Sequence, residues 1–245
     1  MTYYNQRNYP NVPYPAKGYE SATIKTSGCG VCCASMVVEN LTDKKLPPET
    51  CAQYAIQTGA RVPGGTNMVT LGKAIAKDYG LTMTTTNTSA TMLSGLKSGA
   101  YVVVNVGGDR EGHVGLFSDS GHYIVAVGVA SDGRVQVLDP NYYAGKFDKA
   151  GRRGKVTVQG NICLVSQADL IADTTVTATK YYIFKGAEDM TKDELKEASV
   201  KVGSKTVKGF EVDDTIYVPV RAFVETMKEE LAVNWSFQDG ASVTL

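Results

Sequence analysis

The chain has 245 residues, balances 25 Lys+Arg against 25 Asp+Glu, and is 43% apolar. That length accommodates one large or two smaller domains, and that much apolar surface excludes disorder as the main state. No run approaches the ~18–20 apolar residues of a membrane-spanning helix, and a neutral chain without a basic tract gives nucleic acid little to hold.

The opening residues, Met1 to Arg7, lack the apolar centre of a signal peptide. The expectation is synthesis in the cytoplasm without a signal peptide, with any action outside the cell following release by another agent. Residues 1–28 are rich in Tyr, Pro, Asn and Gly and read as an irregular arm. From Cys29 the character changes, and Val31, Ala34, Val37, Val38 and Leu41 recur at helical spacing, predicting a helix that ends near Asn40–Asp43. Pro47-Pro48-Glu49 opens a second helix with Ala52, Ala55 and Ile56 on its apolar face and Gly59 as its stop. A third runs from about Asn67 to Tyr79 and ends at Gly80, and a fourth starts at Ser89, read as its N-cap, and stops before Gly99.

The period then changes. Tyr101 to Val106, His122 to Val129 and Arg134 to Leu138 are β-branched runs, the last two joined by the turn signal Ser131-Asp132-Gly133. Residues 155–165 add one or two strands, and Tyr181 to Phe184 reads as a last or connecting strand. Helices followed by strands predict an α+β domain: N-terminal helices packed on an antiparallel sheet. A polar stretch begins at Ala172-Asp173-Thr174-Thr175. Residues 1–170 carry 16 basic and 12 acidic side chains, and residues 171–245 carry 9 and 13. The division predicted is a larger α+β domain over 1–172, a linker over 173–198 and a small α/β domain over 199–245. Thr191 to Glu194 fits a capping box for a short charged helix. Past residue 199 the pattern predicts two or three short strands and a helix from Pro219 to about Leu231. A strand around Trp235, a turn at Asp239-Gly240 and a last strand from Ser242 to Leu245 follow.

Five cysteines, Cys29, Cys32, Cys33, Cys51 and Cys163, are an odd number in a chain without an export signal, which argues against a disulfide framework. Cys29 and Cys32 have a Cys-x-x-Cys spacing, but no second pair completes a zinc site, and the acidic residues over 109–119 lack calcium-loop spacing. No metal and no cofactor are expected. There are two histidines, His113 and His122, so any histidine base is one of them.

Cys29 at a helix start has the chemistry of a nucleophile, because unpaired N–H groups there favour a thiolate. Gly28 and Gly30 beside it let a substrate backbone approach. His122 begins a strand, and Asp139 ends the next one, so an antiparallel hairpin brings the carboxylate near the imidazole it would orient. His113 is the rival base or a substrate contact in its Gly-rich loop. Asn141 is a substrate contact or shares the orienting role of Asp139.

Ser27-Gly28-Cys29-Gly30, the apolar helix after it, Gly121-His122-Tyr123-Ile124-Val125 and Asp139-Pro140-Asn141 together resemble the papain-like cysteine peptidases akin to the bacteriocin-processing, double-glycine leader peptidases and their phage and cell-wall relatives. The resemblance covers roughly residues 1–165 and implies a papain-like fold with Cys29 as nucleophile, His122 as base and Asp139 as the group orienting it. It also implies an oxyanion-hole Gln, which Gln6 matches in Asn5-Gln6-Arg7-Asn8-Tyr9. The chain departs from the family pattern at Val31-Cys32-Cys33, where polar residues are common. Cys32 there is a small buried hydrophobe or a thiol that tunes or oxidatively traps Cys29, and Cys51 and Cys163 read as packing residues.

Residues 198–245, through Ile216-Tyr217-Val218-Pro219-Val220-Arg221-Ala222-Phe223 and Val233-Asn234-Trp235, resemble the copper amine oxidase N-terminal-like domain of Gram-positive wall proteins. The segment has no His or Cys, so no copper is expected. The resemblance implies attachment to the wall or self-association. The two resemblances together imply a phage endolysin or wall-lytic enzyme acting on peptidoglycan. A protease of polypeptides and a non-catalytic wall-binding or virion protein are the alternatives.

Overall fold

The computed structural model describes residues 1–186, 196–212, 215–218, 223 and 226. The chain divides into two compact units, Met1–Asp189 and Met190–Leu245. In the first, an arm with a 3-10 turn at Gln6–Asn8 leads to α1 (Ile24–Ser27), α2 (Cys29–Leu41) and α3 (Pro48–Gln57). A two-stranded hairpin, β1 (Arg61–Val62) and β2 (Gly65–Thr66), precedes α4 (Met68–Tyr79), β3 (Leu81–Thr86) and α5 (Ser89–Lys97). Then come β4 (Tyr101–Val106), β5 (His122–Val129), β6 (Val135–Leu138), β7 (Val156–Gln159), β8 (Ile162–Val165), α6 (Gln167–Asp173) and β9 (Tyr181–Gly186).

The helix ends follow from single residues. Asn67 caps α4 by accepting from the N–H groups of Val69 and Thr70, each at 3.1 Å, and Gly80 closes it at φ +74°, a left-handed turn that glycine adopts without strain. The N-cap of α5 is Thr88, one residue ahead of the expected Ser89. α2 is buried over most of its length, from Gly30 to Val38. A helix apolar on every side belongs in the interior, and α2 packs against β5, α3 and α4.

Seven strands form one antiparallel sheet in the order β3-β9-β4-β5-β6-β8-β7. Side chains alternate between its faces. Val103, Val125, Leu138, Tyr182 and Phe184 join the core built with α2, α3 and α4. Val102, Val104, Ile124, Ala126, Val137 and Ile183 join a second core with Met92 and Leu96 of α5, Phe117, Phe147 and Leu170. The mixed α+β architecture with antiparallel pairing is the expected one.

Three features depart from the sequence reading. β3, Thr-rich and at the sheet edge, went unpredicted. The arm lacks long elements but is packed: Tyr14 is fully buried, and its hydroxyl lies 2.8 Å from Thr66 Oγ1. Residues 173–186, expected in a linker, belong to the first unit, where β9 pairs with both β3 and β4. Tyr181 to Phe184 are all buried, as a strand covered on both faces must be.

In the second unit β10 (Lys196–Val202), β11 (Lys205–Val212) and β12 (Thr215–Tyr217) form an antiparallel sheet. The β10–β11 turn is Gly203-Ser204, with Gly203 at φ +60°. The expected capping box at 191–194, the helix over 219–231 apart from residues 223 and 226, and the elements after it lie outside the described residues. Among the described residues no helix is long and apolar enough to cross a membrane.

Candidate active site

Cys29 is the first residue of α2. Gly28 links it to α1 by donating its N–H to the Ile24 carbonyl at 2.8 Å, and a Cβ at Gly28 would lie 2.5 Å from Ile24 Cγ2 and from that carbonyl oxygen. A Cβ at Gly30 would lie 2.6 Å from Thr66 Cβ. Both glycines, expected to admit substrate, are thus needed for close packing behind Cys29. Gly30→Ala should lower stability by about 1–3 kcal/mol through overpacking, read as a fall in unfolding temperature. An unchanged unfolding temperature would contradict the tight Gly30–Thr66 contact.

Cys29 is partly exposed, whereas Cys32, Cys33, Cys51 and Cys163 are buried. Burial by itself raises the Cys29 thiol. A hydrogen bond from His122, the charge of that imidazole and the backbone N–H groups of Tyr123 and Gly30 outweigh it, and the net shift is downward. Burial pushes Cys51 and Cys163 up to about 12, and Cys32 and Cys33 well above the ordinary thiol value. Of the five sulfurs only Cys29 is set up as a thiolate.

His122 opens β5, and Asp139 follows the last residue of β6. The pairing Val125↔Leu138, extended by one step, sets Asp139 opposite Ile124 and diagonal to His122 on the same face. The imidazole Nε2 lies 2.9 Å from Asp139 Oδ1, which leaves Nδ1 for the sulfur. Burial disfavours the imidazolium, but the hydrogen bonds to Asp139 and Cys29 and the charges of both prevail, and His122 rises to about 9. Asp139 is fully buried. Burial alone would raise it, yet His122 and Lys146 hold it below the ordinary carboxylate value.

The carboxylate is fixed from several sides. Oδ1 also accepts the Asn141 N–H at 2.9 Å. Oδ2 pairs with the Lys146 ammonium, which is itself buried and also donates to the Asn141 carbonyl at 3.2 Å. Tyr3 Oη donates to the Asp139 carbonyl at 2.7 Å, and Asn5 Nδ2 donates to the Tyr142 carbonyl at 2.8 Å. The arm therefore straps the turn that carries Asp139.

Gln6 sits in the same arm. It is buried, its N–H donates to the Pro140 carbonyl at 2.7 Å, and its side-chain Nε2 donates to the Lys25 carbonyl at 2.7 Å. Its Oε1 is buried without a hydrogen-bond partner. Asn141 directs its side-chain oxygen to Arg7 Nη1 at 3.4 Å, so its backbone, rather than its amide, supports Asp139. His113 pairs elsewhere: its Nε2 lies 3.0 Å from Oδ1 of Asp173, the last residue of α6. Asp173 is fully buried and also accepts the N–H groups of Leu116 at 2.5 Å and Phe117 at 3.0 Å. This second His–Asp pair ties a loop to α6. Sequence reading missed Lys146 and Asp173, since a loop lysine and a polar run after a helix both read as solvent-facing.

Among the described residues no group of three or more His, Cys, Asp or Glu is placed to hold a metal ion. The arrangement instead suits thiolate chemistry: a partly exposed sulfur at a helix start, an imidazole bonded to it, and a buried carboxylate behind the imidazole. No curated protein matches the chain. The model of the Peptidase_C39 like family matches residues 1–155, which run from the arm to the residue before β7 and hold Cys29, His122 and Asp139. By that match the chain belongs to the Peptidase_C39-like family of cysteine peptidases.

Proposed function

We propose that Cys29, His122 and Asp139 are the nucleophile, base and orienting residue of a hydrolase that cleaves an amide bond in bacterial peptidoglycan, as an endopeptidase or amidase. The observation that carries the catalytic half is the hydrogen-bonded order of sulfur, imidazole and buried carboxylate. The Cys29 thiolate attacks the carbonyl carbon, and the electron pair of the C=O bond moves onto oxygen. As the C–N bond breaks, Nδ1–H of His122 gives its proton to the leaving amine, and a thioester remains. Neutral Nδ1 then takes a proton from water, the hydroxide adds to the thioester, and the departing thiolate restores the ion pair with His122. Nε2–H stays on Asp139 throughout, which fixes the tautomer.

The negative charge on the carbonyl oxygen needs donors. The Cys29 N–H, at the start of a helix, is one. Gln6 is the other: Nε2 has a second proton beyond the one given to Lys25, and the arm holds the amide rigidly. Gln6→Ala should slow amide hydrolysis by about 10²–10³-fold while leaving alkylation of Cys29, which builds no oxyanion, unchanged. Equal losses in both would remove Gln6 from the oxyanion site.

Peptidoglycan as substrate is supported by the second unit, whose sequence resembles a module of Gram-positive wall proteins. A phage endolysin has this layout of catalytic unit and wall module. Purified Gram-positive walls digested with wild type and Cys29→Ser test it. Release of free amines without reducing ends by wild type alone is the expected result. Intact walls together with cleavage of a peptide library would move the substrate to polypeptides. Walls and library both left intact would favour a non-catalytic wall-binding protein.

A further inference from the structure

Asp139 meets two cations. His122 takes Oδ1, and the buried ammonium of Lys146 takes Oδ2. Lys146 lies seven residues beyond Asp139 on the turn that the arm straps, and its own N–H donates to the Tyr143 carbonyl at 3.1 Å. Phe147 behind it packs edge-on to Phe117 at 5.6 Å, anchoring the segment in the second core. A lysine is rarely fully buried unless it is paired. Here its partners are the Asp139 carboxylate and the Asn141 carbonyl, both within the turn behind the imidazole.

We propose that Lys146 is a positioning residue: a fixed counter-charge that holds Asp139 ionised and oriented through the catalytic cycle and keeps the His122 imidazolium acidic enough to give up its proton. The inference rests on the assignment of Cys29 and His122 as an ion pair. Without Lys146, Asp139 would depend on His122 for its counter-charge, and that charge vanishes each time the imidazole deprotonates. The carboxylate would then resist the proton transfer. With Lys146 in place the set is Cys29 thiolate, His122 imidazolium, Asp139 carboxylate and Lys146 ammonium, in alternating sign. The ammonium behind the carboxylate offsets part of its pull on the imidazolium. The other titratable groups facing this set are Tyr3 and Tyr14 from the arm, Cys32 and Cys33 on α2, Tyr123 on β5 and Cys163 on β8. Burial raises each of them, so all are neutral across the working range. Two further cations lie nearby: Arg7, whose Nη1 is 3.4 Å from Asn141 Oδ1, and Arg152, whose Nη1 is 3.5 Å from the Lys146 carbonyl and which is engaged with Gly115 at 2.6 Å and Asp119 at 2.6 Å.

The test is the pH dependence of Cys29 alkylation by iodoacetamide, which needs no knowledge of the substrate. Wild type should show two limbs: one below the ordinary thiol range, where the ion pair forms, and one where His122 loses its proton. In Lys146→Met the upper limb should move up by about one pH unit, and Lys146→Arg should restore it. An upper limb unmoved or lowered in folded Lys146→Met overturns the proposal. A wild-type profile without the low-pH limb overturns instead the assignment of Cys29 as nucleophile, so the two failures are distinct. If Lys146→Met does not fold, the pairing is read in the Asp139→Asn background. There Lys146 has lost its counter-charge, and adding Lys146→Met should raise the unfolding temperature. A further fall there would overturn the counter-charge role.

Discussion

Replacing Cys29 by Ala should lower amide hydrolysis by about 10⁴-fold or more and leave the fold intact. The sulfur is the one partly exposed thiol of five, and it alone is pulled below the ordinary thiol range. No other described side chain replaces it, since the neighbouring Cys32 and Cys33 are buried with raised thiols. Hydrolysis by wild type should also decline as the pH rises through about 9, the value to which His122 is raised. The sign follows from the proton: above that pH the imidazole is neutral and has none to give the leaving amine. The same shift gives folding stability that is complete below the ordinary imidazole value and is lost as the pH climbs through about 9. Steady-state rates on a minimal amide substrate check the Cys29→Ala loss and the decline with pH, and denaturation across pH checks the stability. A Cys29→Ala protein that retains a tenth of the rate would contradict the first of these, and a rate that holds level through about pH 9 the second.

Asp139→Ala should damage both rate and stability. The imidazole loses the acceptor at 2.9 Å that fixes its tautomer, and a loss of about 10³–10⁴-fold in rate is the usual consequence. The Lys146 ammonium is left buried without its counter-charge, which destabilises by about 3–5 kcal/mol. Asp139→Asn separates the two effects. The amide oxygen can still accept from Nε2–H and hold the ring in place, but the neutral amide cannot balance Lys146, so the stability loss is as large. Chemical denaturation of the two variants beside rate measurements checks this, and an Asp139→Asn protein as stable as wild type would refute the buried pair. Acid acts in the same direction. Asp139 is held below its ordinary value, so its contribution is present above that value and is lost as the pH falls through the lowered one.

The parts of this arrangement written in local pattern could be read from the chain. α2 to α4 follow from apolar spacing, Pro48, Asn67 and Gly80, and β4, β5 and β6 from their β-branched runs and the turn at Ser131-Asp132-Gly133. The hairpin also made the approach of Asp139 to His122 readable, since one register step decides it. Pairing between strands distant in sequence was not written there. Tyr181 to Phe184 read as an apolar strand, but nothing local says that it inserts between β3 and β4, so its flank reads as a linker. β3 was missed because its Thr-rich edge mimics a polar loop. Lys146 was missed for a related reason: a lysine signals solvent until the carboxylate that buries it is known. Gln6 was reached through family resemblance alone, and its position follows from bonds to Lys25 and Pro140, 19 and 134 residues away in sequence.

The central claim is that Cys29 is a thiolate held by His122. The most direct measurement is brief labelling of the native protein with iodoacetamide at pH 6, followed by peptide mapping of all five cysteines. Modification at Cys29 alone, abolished in the folded His122→Ala variant, is the predicted result. Labelling spread over Cys32, Cys33, Cys51 and Cys163, or a Cys29 that reacts equally well without His122, would contradict it.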